Sequence, residues 1–135
     1  MTGVLLDTSA YSAFFRGHPE IKRRLQEADE IVVTPVILGE LKAGFRRGQH
    51  LRKNERELAT FLASPRVTVA VIDEATSERY AVILHSLRAA GTPIPTNDVW
   101  IAASAMQHAL PILTTDEHFE RVPQILVEPL GADGG

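Results

Sequence analysis

Short apolar runs alternate with longer segments of helical spacing along this chain. The runs are rich in β-branched residues, which predicts buried strands at residues 4–6, 31–33, 67–72, 112–114 and 124–127. The segments between them predict helices over residues 8–15, 20–28, 35–47, 51–62, 73–90 and 97–109. Strands that alternate with helices in this way form βαβ units. We therefore predict an α/β fold with a three-layer α/β/α arrangement around a central, mainly parallel sheet of four or five strands.

Residues that favour helix ends separate these segments. Thr34 can cap a helix and Pro35 suits its first turn, so a helix is predicted to begin there. The hydroxyls of Thr8 and Ser9 are expected to cap the first helix. Residues 91–95 (GTPIP) cannot continue a helix and predict a loop.

The length of 135 residues suits one domain, which we expect to span residues 1–130 and to leave a frayed tail at 131–135. A hydrophobic fraction of 44% and a charged fraction of 23% exclude a disordered chain. The chain has no cysteine, which excludes disulfides, thiolate zinc sites and cysteine nucleophiles. The apolar start is too short for a signal peptide or a membrane span, so we expect a cytoplasmic protein.

Four carboxylates follow apolar runs or lie on apolar helices. Asp7 and Asp116 each come just after a predicted strand. Asp98 opens an alanine-rich helix, and Glu40 lies on another helix. In parallel sheets the ligand crevice lies beyond the carboxyl ends of the strands, so the four acids can converge at one edge.

Convergence of these acids requires a counter-charge. At a spacing of about 5 Å and an effective dielectric constant of about 20, each pair of like charges costs about 3 kcal/mol. Several such pairs rival the total stability of a domain, so protons or a cation must relieve the repulsion. An oxygen-rich site without cysteine favours a hard ion, and we expect Mg²⁺ or Mn²⁺.

Other interpretations of the same residues remain open at this point. Asp7 and Asp98 could cap helices, Asp116 could end a strand in a solvated turn, and Glu40 could lie on a helix surface. Two other functional classes are a catalytically silent acidic-pocket binding module and a phospho-aspartate receiver or phosphatase. The second class would need Asp7 as nucleophile, although the usual Asp-x-Asp pair is absent. For His118 we expect a surface position.

Basic residues concentrate between positions 42 and 56, although the formal net charge of the chain is −3. Six bases lie there and only Glu55 opposes them. A basic stripe beside an acidic pocket suits a polymer that carries phosphates. The alternative is an ordinary solvated helix surface.

Four motifs appear in order along nearly the whole chain. They are residues 5–9 (LLDTS), 36–41 (VILGEL), 97–105 (NDVWIAASA) and 113–119 (LTTDEHF). Together they resemble the motifs of PIN-domain nucleases, and the VapC toxins of toxin–antitoxin pairs are the most similar subgroup.

This resemblance implies a Mg²⁺-dependent endoribonuclease toxin that is inactive while a cognate antitoxin occupies its cleft. The acidic quartet of the family, which is both catalytic and metal-binding, is matched by Asp7, Glu40, Asp98 and Asp116. Polar positions near the metal, expected to hold water or phosphate, are matched by Thr8, Ser9, Asn97 and Thr114.

The expected partners of such a toxin are RNA, the antitoxin and a second copy of the chain. The residues expected to bind RNA are Arg46, Arg47, Arg52 and Lys53. Aromatic residues expected to border the antitoxin groove are Phe14, Phe15 and Phe45. Small residues expected to pack either in the core or in a homodimer seam are Ala102, Ala103, Ala105 and Ala109.

Overall fold

A parallel sheet forms the centre of the protein. The computed structural model describes residues 3–130, and within them the five strands are β1 (Gly3–Leu6), β2 (Glu30–Val33), β3 (Val67–Val69), β4 (Ile112–Thr114) and β5 (Val127–Pro129). Their order in the sheet is β3-β2-β1-β4-β5, and every neighbouring pair is parallel. The predicted fold class is therefore confirmed.

Helices fill the connections between these strands. They are α1 (Thr8–Phe15), α2 (Pro19–Glu27), α3 (Pro35–Arg47), α4 (Leu51–Leu62), α5 (Glu74–Ala90) and α6 (Thr96–His108). The side chain of Thr34 caps α3, as predicted, and Asp73 forms a capping box with Thr76 at the start of α5. Gly91 ends α5 with a φ of +70°, a conformation that favours glycine.

The order of the strands creates a crevice beside β1. The chain moves from β1 to β2 and β3 in one direction, then returns across the sheet to β4 on the other side of β1. Because such crossovers are right-handed, this reversal assigns α1 to α4 to one face of the sheet and α5 with α6 to the other. The carboxyl ends of β1 and β4 therefore flank the point where ligands bind in sheets of this kind.

The core is continuous across both faces of the sheet. Val4, Leu5 and Leu6 of the central strand are all buried, as parallel strands covered on both faces require. Ala102, Ala103 and Ala105 are also buried within the single chain, so they belong to the core rather than to a homodimer seam.

Two predicted strands have different ends in the structure. The strand predicted over residues 67–72 ends at Val69, because its partner strand β2 ends at Val33, with which Val69 pairs. Val71, which has no strand partner, is 69% exposed. The strand predicted over residues 124–127 instead begins at Val127, where pairing with Ile112 starts.

A 3₁₀ helix (Glu117–Arg121), which the sequence did not predict, follows β4. Its Phe119 is completely buried and anchors the turn to the core. The predicted frayed tail, residues 131–135, lies outside the described residues. Among the helices within residues 3–130, none is both long and apolar enough to cross a membrane.

Candidate active site

The candidate site lies at the crevice between the carboxyl ends of β1 and β4. Asp7 follows β1 directly, and Asp116 follows β4 after one intervening residue. Asp98 enters from the first turn of α6, and Glu40 from α3. Four separate elements thus contribute one carboxylate each.

Asp7 is the most firmly held of these acids. Its side chain is buried, and Oδ1 accepts hydrogen bonds from the Ser9 hydroxyl at 2.8 Å and from the backbone N–H of Ala10 at 2.9 Å. Oδ2 accepts a hydrogen bond from the Thr114 hydroxyl at 2.7 Å. Asp7 is therefore the N-cap of α1, a position for which we had predicted Thr8 and Ser9, and it lies in the crevice as well. The cap hypothesis and the site hypothesis are compatible for this residue.

Hydroxyl groups fasten the end of β4 to the start of α1. The backbone N–H of Thr115 donates to the Ser9 hydroxyl at 3.0 Å, and the backbone N–H of Asp116 donates to the Thr114 hydroxyl at 2.8 Å. Ser9 and Thr114, which we expected to hold water or phosphate, thus donate to Asp7 and fix the backbone around it in this structure.

Asp98 and Asp116 face each other across the crevice, with the imidazole of His118 between them. His118 Nδ1 lies 3.4 Å from Asp98 Oδ2 and 3.1 Å from Asp116 Oδ1. One ligand atom from each of these three residues falls within 4.8 Å of the other two. Asp98 does not cap α6, because Pro95 occupies the cap position, so its carboxylate is free to point into the crevice.

Glu40 forms the outer wall of the site. Its Oε1 accepts a hydrogen bond from the Thr8 hydroxyl, and Oε2 accepts one from the Asn97 side-chain amide at 3.4 Å. Beside it opens a pocket of about 660 Å³, which is lined by Thr8, Pro35, Val36, Gly39, Glu40, Ala43, Arg47 and Asn97. Glu40 is therefore partly buried at a pocket mouth and is not a residue of the outer helix surface.

The electrostatics of the site agree with this convergence. Burial raises the pKa of the Asp7 carboxyl to about 6. Burial also raises the pKa of Asp98 to about 6, and the negative charges of Asp116, Glu40 and Asp7 add to the shift. The repulsion expected from the sequence is thus present, and it favours the protonated form of these two carboxyl groups.

The donor set fits a divalent cation. Carboxylate oxygens are the ligands that Mg²⁺ and Mn²⁺ prefer, and within the described residues the cluster of Asp98, Asp116 and His118 offers two of them with one imidazole nitrogen. His118 Nδ1 is buried and lies at ion-pair distance from both acids without making a hydrogen bond, so this nitrogen is directed at the acids. A bound cation would satisfy this nitrogen and neutralise the acids together.

The position of His118 differs from the one we expected. Its side chain is 40% exposed, yet Nδ1 is turned inward to the acids. The sequence does contain one indication of this position, because His118 follows Asp116 by two residues. In a tight turn, that spacing brings the ring back to the carboxylate. Because the 3₁₀ helix was not predicted, that spacing could not be interpreted.

The predicted RNA-binding residues separate into two groups. Arg47 lines the pocket beside Glu40, whereas Lys53 lines a second pocket of about 520 Å³. Arg46 and Arg52 are exposed near the junction of α3 and α4. The aromatic residues that line the second pocket are Phe14, Phe15 and Phe61, so two of the three aromatics expected at a groove are present and Phe61 takes the place of Phe45.

Comparison with known proteins places this chain among relatives with the same fold. The profile of the PIN domain family matches residues 4–125. The ribonuclease VapC4 of Mycobacterium tuberculosis is 39% identical over 95 residues, which cover 70% of this chain and 73% of that protein.

Solved structures of other proteins share this fold over nearly the whole chain. VapBC2 from Rickettsia felis, bound to a DNA fragment from their promoter, has a TM-score of 0.83 at 22% identity, covering 95% of this chain and 98% of that one. This identity supports a shared fold alone. VapBC-5 from Mycobacterium tuberculosis, a member of the VapBC family of toxin–antitoxin systems, has a TM-score of 0.74 at 25% identity, covering 96% of this chain and 100% of that one.

The raised pKa of Asp7 predicts how the stability of the metal-free protein depends on pH. The carboxyl has a pKa of about 6 when folded and an ordinary value of 3.8 when unfolded, so the folded state holds the proton more tightly. Its stabilising contribution is complete below about pH 4 and is lost as the pH rises through about 6, a loss of about 2–3 kcal/mol. We expect Asp7→Asn to remove the contribution of Asp7 and to keep that of Asp98, since asparagine can still cap α1 but does not ionise.

Urea unfolding in EDTA at pH 4.5 and pH 7.5 measures the effect. The matched control is Glu78→Gln, an exposed position on α5 that should follow the wild type. The pKa assignment is wrong if Asp7→Asn loses as much stability between the two pH values as the wild type does.

Proposed function

Since this chain belongs to the PIN domain family, we propose that it is a metal-dependent endoribonuclease toxin that a cognate antitoxin protein inhibits. The observation that carries the proposal is the cluster of Asp98 and Asp116 at the crevice beside β1, with Asp7 and Glu40 near enough for their charges to raise the pKa of Asp98. The similarity to VapC4, a ribonuclease, supports the activity. The toxin–antitoxin complex VapBC-5 supports the inhibition by a partner. RNA and the antitoxin would meet this protein in the cytoplasm.

We propose Mg²⁺ as the ion of this site, with Mn²⁺ able to replace it. The residues that would hold it are Asp7, Asp98, Asp116 and Glu40. When bound, such an ion lowers the pKa of a water molecule and stabilises negative charge on phosphate oxygens.

The chain's own groups position these acids for that chemistry. Ser9 and Thr114 fix both oxygens of Asp7, so this carboxylate can keep one orientation through the reaction. Thr8 and Asn97 hold Glu40 at the pocket mouth, where its carboxylate can orient the attacking water. Preorganised carboxylates need little rearrangement as charge develops on the phosphate.

We propose that the RNA strand approaches through the pocket beside Glu40. Arg47 lines this pocket and supplies a positive charge that would attract the phosphates of the RNA. A guanidinium group can bind a phosphate with two parallel hydrogen bonds, which would fix the register of the strand over the acids. Arg46, Arg52 and Lys53 are expected to add attraction at longer range.

We propose that the antitoxin binds in the second pocket. This groove between α1 and α4 is walled by Phe14, Phe15 and Phe61, and Phe15 is 41% exposed. Lys53 and Arg56 border it and would attract acidic residues of the partner. Exposed aromatic side chains with a charged rim are typical anchors of protein interfaces.

A phospho-aspartate receiver is a poorer explanation of the same pocket. Asp7 would be its nucleophile, yet both oxygens of Asp7 accept hydrogen bonds and the side chain is buried. The second aspartate of the usual Asp-x-Asp pair of such proteins is also absent, because Ser9 stands at that position.

Replacement of Asp98 tests the catalytic proposal directly. We expect Asp98→Asn to lower the rate of RNA cleavage by more than about 100-fold, because loss of a metal ligand removes several kcal/mol of charge stabilisation. Cleavage of total RNA by purified protein and growth arrest on expression both report it. Glu78→Gln should retain both, and full cleavage by a folded Asp98→Asn protein would refute the role of Asp98.

Arg47 and Lys53 form a matched pair for the proposed path of the RNA. In EDTA, which prevents cleavage, we expect Arg47→Gln to reduce the slope of log K against log salt concentration by about 0.7, the value for one lost contact with single-stranded RNA. Lys53→Gln should change the slope less, because Lys53 lines the other pocket. Equal slopes for wild type and Arg47→Gln would exclude the proposed approach.

Phe15 tests the antitoxin groove separately from catalysis. We expect Phe15→Ser to leave RNA cleavage intact and to weaken inhibition by the product of the adjacent small reading frame by at least about tenfold, since aromatic anchors carry much of the interface energy. Leu126→Ser is the control, because Leu126 is 75% exposed and lies outside the groove. Unchanged inhibition of Phe15→Ser would place the partner elsewhere.

A further inference from the structure

His118 has an inward nitrogen that hydrogen bonding does not explain. Nδ1 is fully buried and has no hydrogen-bond partner, although Asp116 Oδ1 is only 3.1 Å away and Asp98 Oδ2 is 3.4 Å away. The distances are short enough for hydrogen bonds, so the angles must be poor. The nitrogen therefore meets both acids at ion-pair distance without the alignment of a hydrogen bond, which is the arrangement expected of neighbouring ligands around one ion.

The same distances suit ligands of one ion. Two ligands at right angles on an octahedral ion of bond length about 2.0–2.1 Å lie roughly 3 Å apart. The separations of His118 Nδ1 from the two carboxylate oxygens are close to that value. Neighbouring ligands also point at the ion rather than at each other, which accounts for the poor hydrogen-bond angles.

The backbone holds the imidazole in this position. The N–H of His118 donates to Asp116 Oδ1 at 2.9 Å, so the residue and the acid are fixed in one turn. The next residue, Phe119, is completely buried and prevents the turn from rotating outward. The ring is thus presented to the acids before any ion binds.

From this geometry we propose that His118 is a ligand of the divalent ion and that its nitrogen strengthens the binding of Mn²⁺ more than that of Mg²⁺. This inference rests on the proposed function, because it requires an ion at the acidic site. Mg²⁺ binds oxygen ligands almost exclusively, whereas Mn²⁺, although it also prefers oxygen, is the first ion of the transition series whose affinity for sites with nitrogen ligands rises along the row. One imidazole among several carboxylates therefore adds affinity for Mn²⁺ and little for Mg²⁺.

Pulsed electron paramagnetic resonance of the Mn²⁺-loaded protein tests direct ligation without any assay of activity. We expect the wild type to show the nitrogen coupling of a directly bound imidazole and His118→Gln to lose it. His85→Gln, an exposed position on α5, is the matched control and should retain the coupling. Wild-type protein made with ¹⁵N-labelled histidine must show the coupling of ¹⁵N in place of that of ¹⁴N. This check does not depend on whether the His118→Gln protein folds.

Calorimetric titration with each ion tests the different effects on Mn²⁺ and Mg²⁺ binding. Because glutamine offers an oxygen where histidine offered a nitrogen, we expect His118→Gln to bind Mn²⁺ at least about tenfold more weakly. Its Mg²⁺ affinity should change by less than about threefold. Circular dichroism establishes that the variant is folded.

The outcomes separate this inference from the proposed function. If wild-type protein binds Mn²⁺ without nitrogen coupling, or if His118→Gln keeps the wild-type ratio of affinities, the role of His118 is wrong and the acidic metal site stands. If wild-type and Asp98→Asn proteins both fail to bind either ion, the inference and the proposed function fail together.

Discussion

Repulsion between carboxylates is the constraint on which the rest of this structure depends. Asp7, Asp98, Asp116 and Glu40 come from four elements, and burial together with the charges of the other three raises the pKa of Asp98 to about 6. The sheet brings them together because β1 and β4 are neighbours whose connections leave in opposite directions. A fold that collects negative charge in this way needs a cation to reach its lowest free energy at neutral pH.

Short hydroxyl side chains make this arrangement stable enough to fold. Ser9 and Thr114 donate to Asp7, and Thr8 donates to Glu40, so neutral partners hold these two acids. No permanent internal cation is therefore required at these two positions, and the positive charge can come from an exchangeable ion. Hydrogen bonding is less complete on the opposite side of the site, because His118 Nδ1 makes no hydrogen bond there.

The sequence predicted the sheet and the acidic cluster because both depend on local patterns. Apolar runs identified the central strands, and an acid after each run placed Asp7 and Asp116 at the carboxyl edge of a parallel sheet. Strand ends such as Val69 depend on how far the partner strand extends, which no local pattern contains. The inward turn of His118 depends on the 3₁₀ helix that buried Phe119 anchors, so it became visible only with the tertiary packing.

Proton release on metal binding tests the central claim most directly. Titration of the protein with Mg²⁺ and Mn²⁺ in buffers of different ionisation enthalpy gives the number of protons displaced. With pKa values of about 6 for Asp7 and Asp98, the account predicts release of about one proton per protein at pH 6 and almost none at pH 8. Binding without proton release at pH 6, or no binding at either pH, would contradict the claim that a divalent ion relieves the repulsion among these acids.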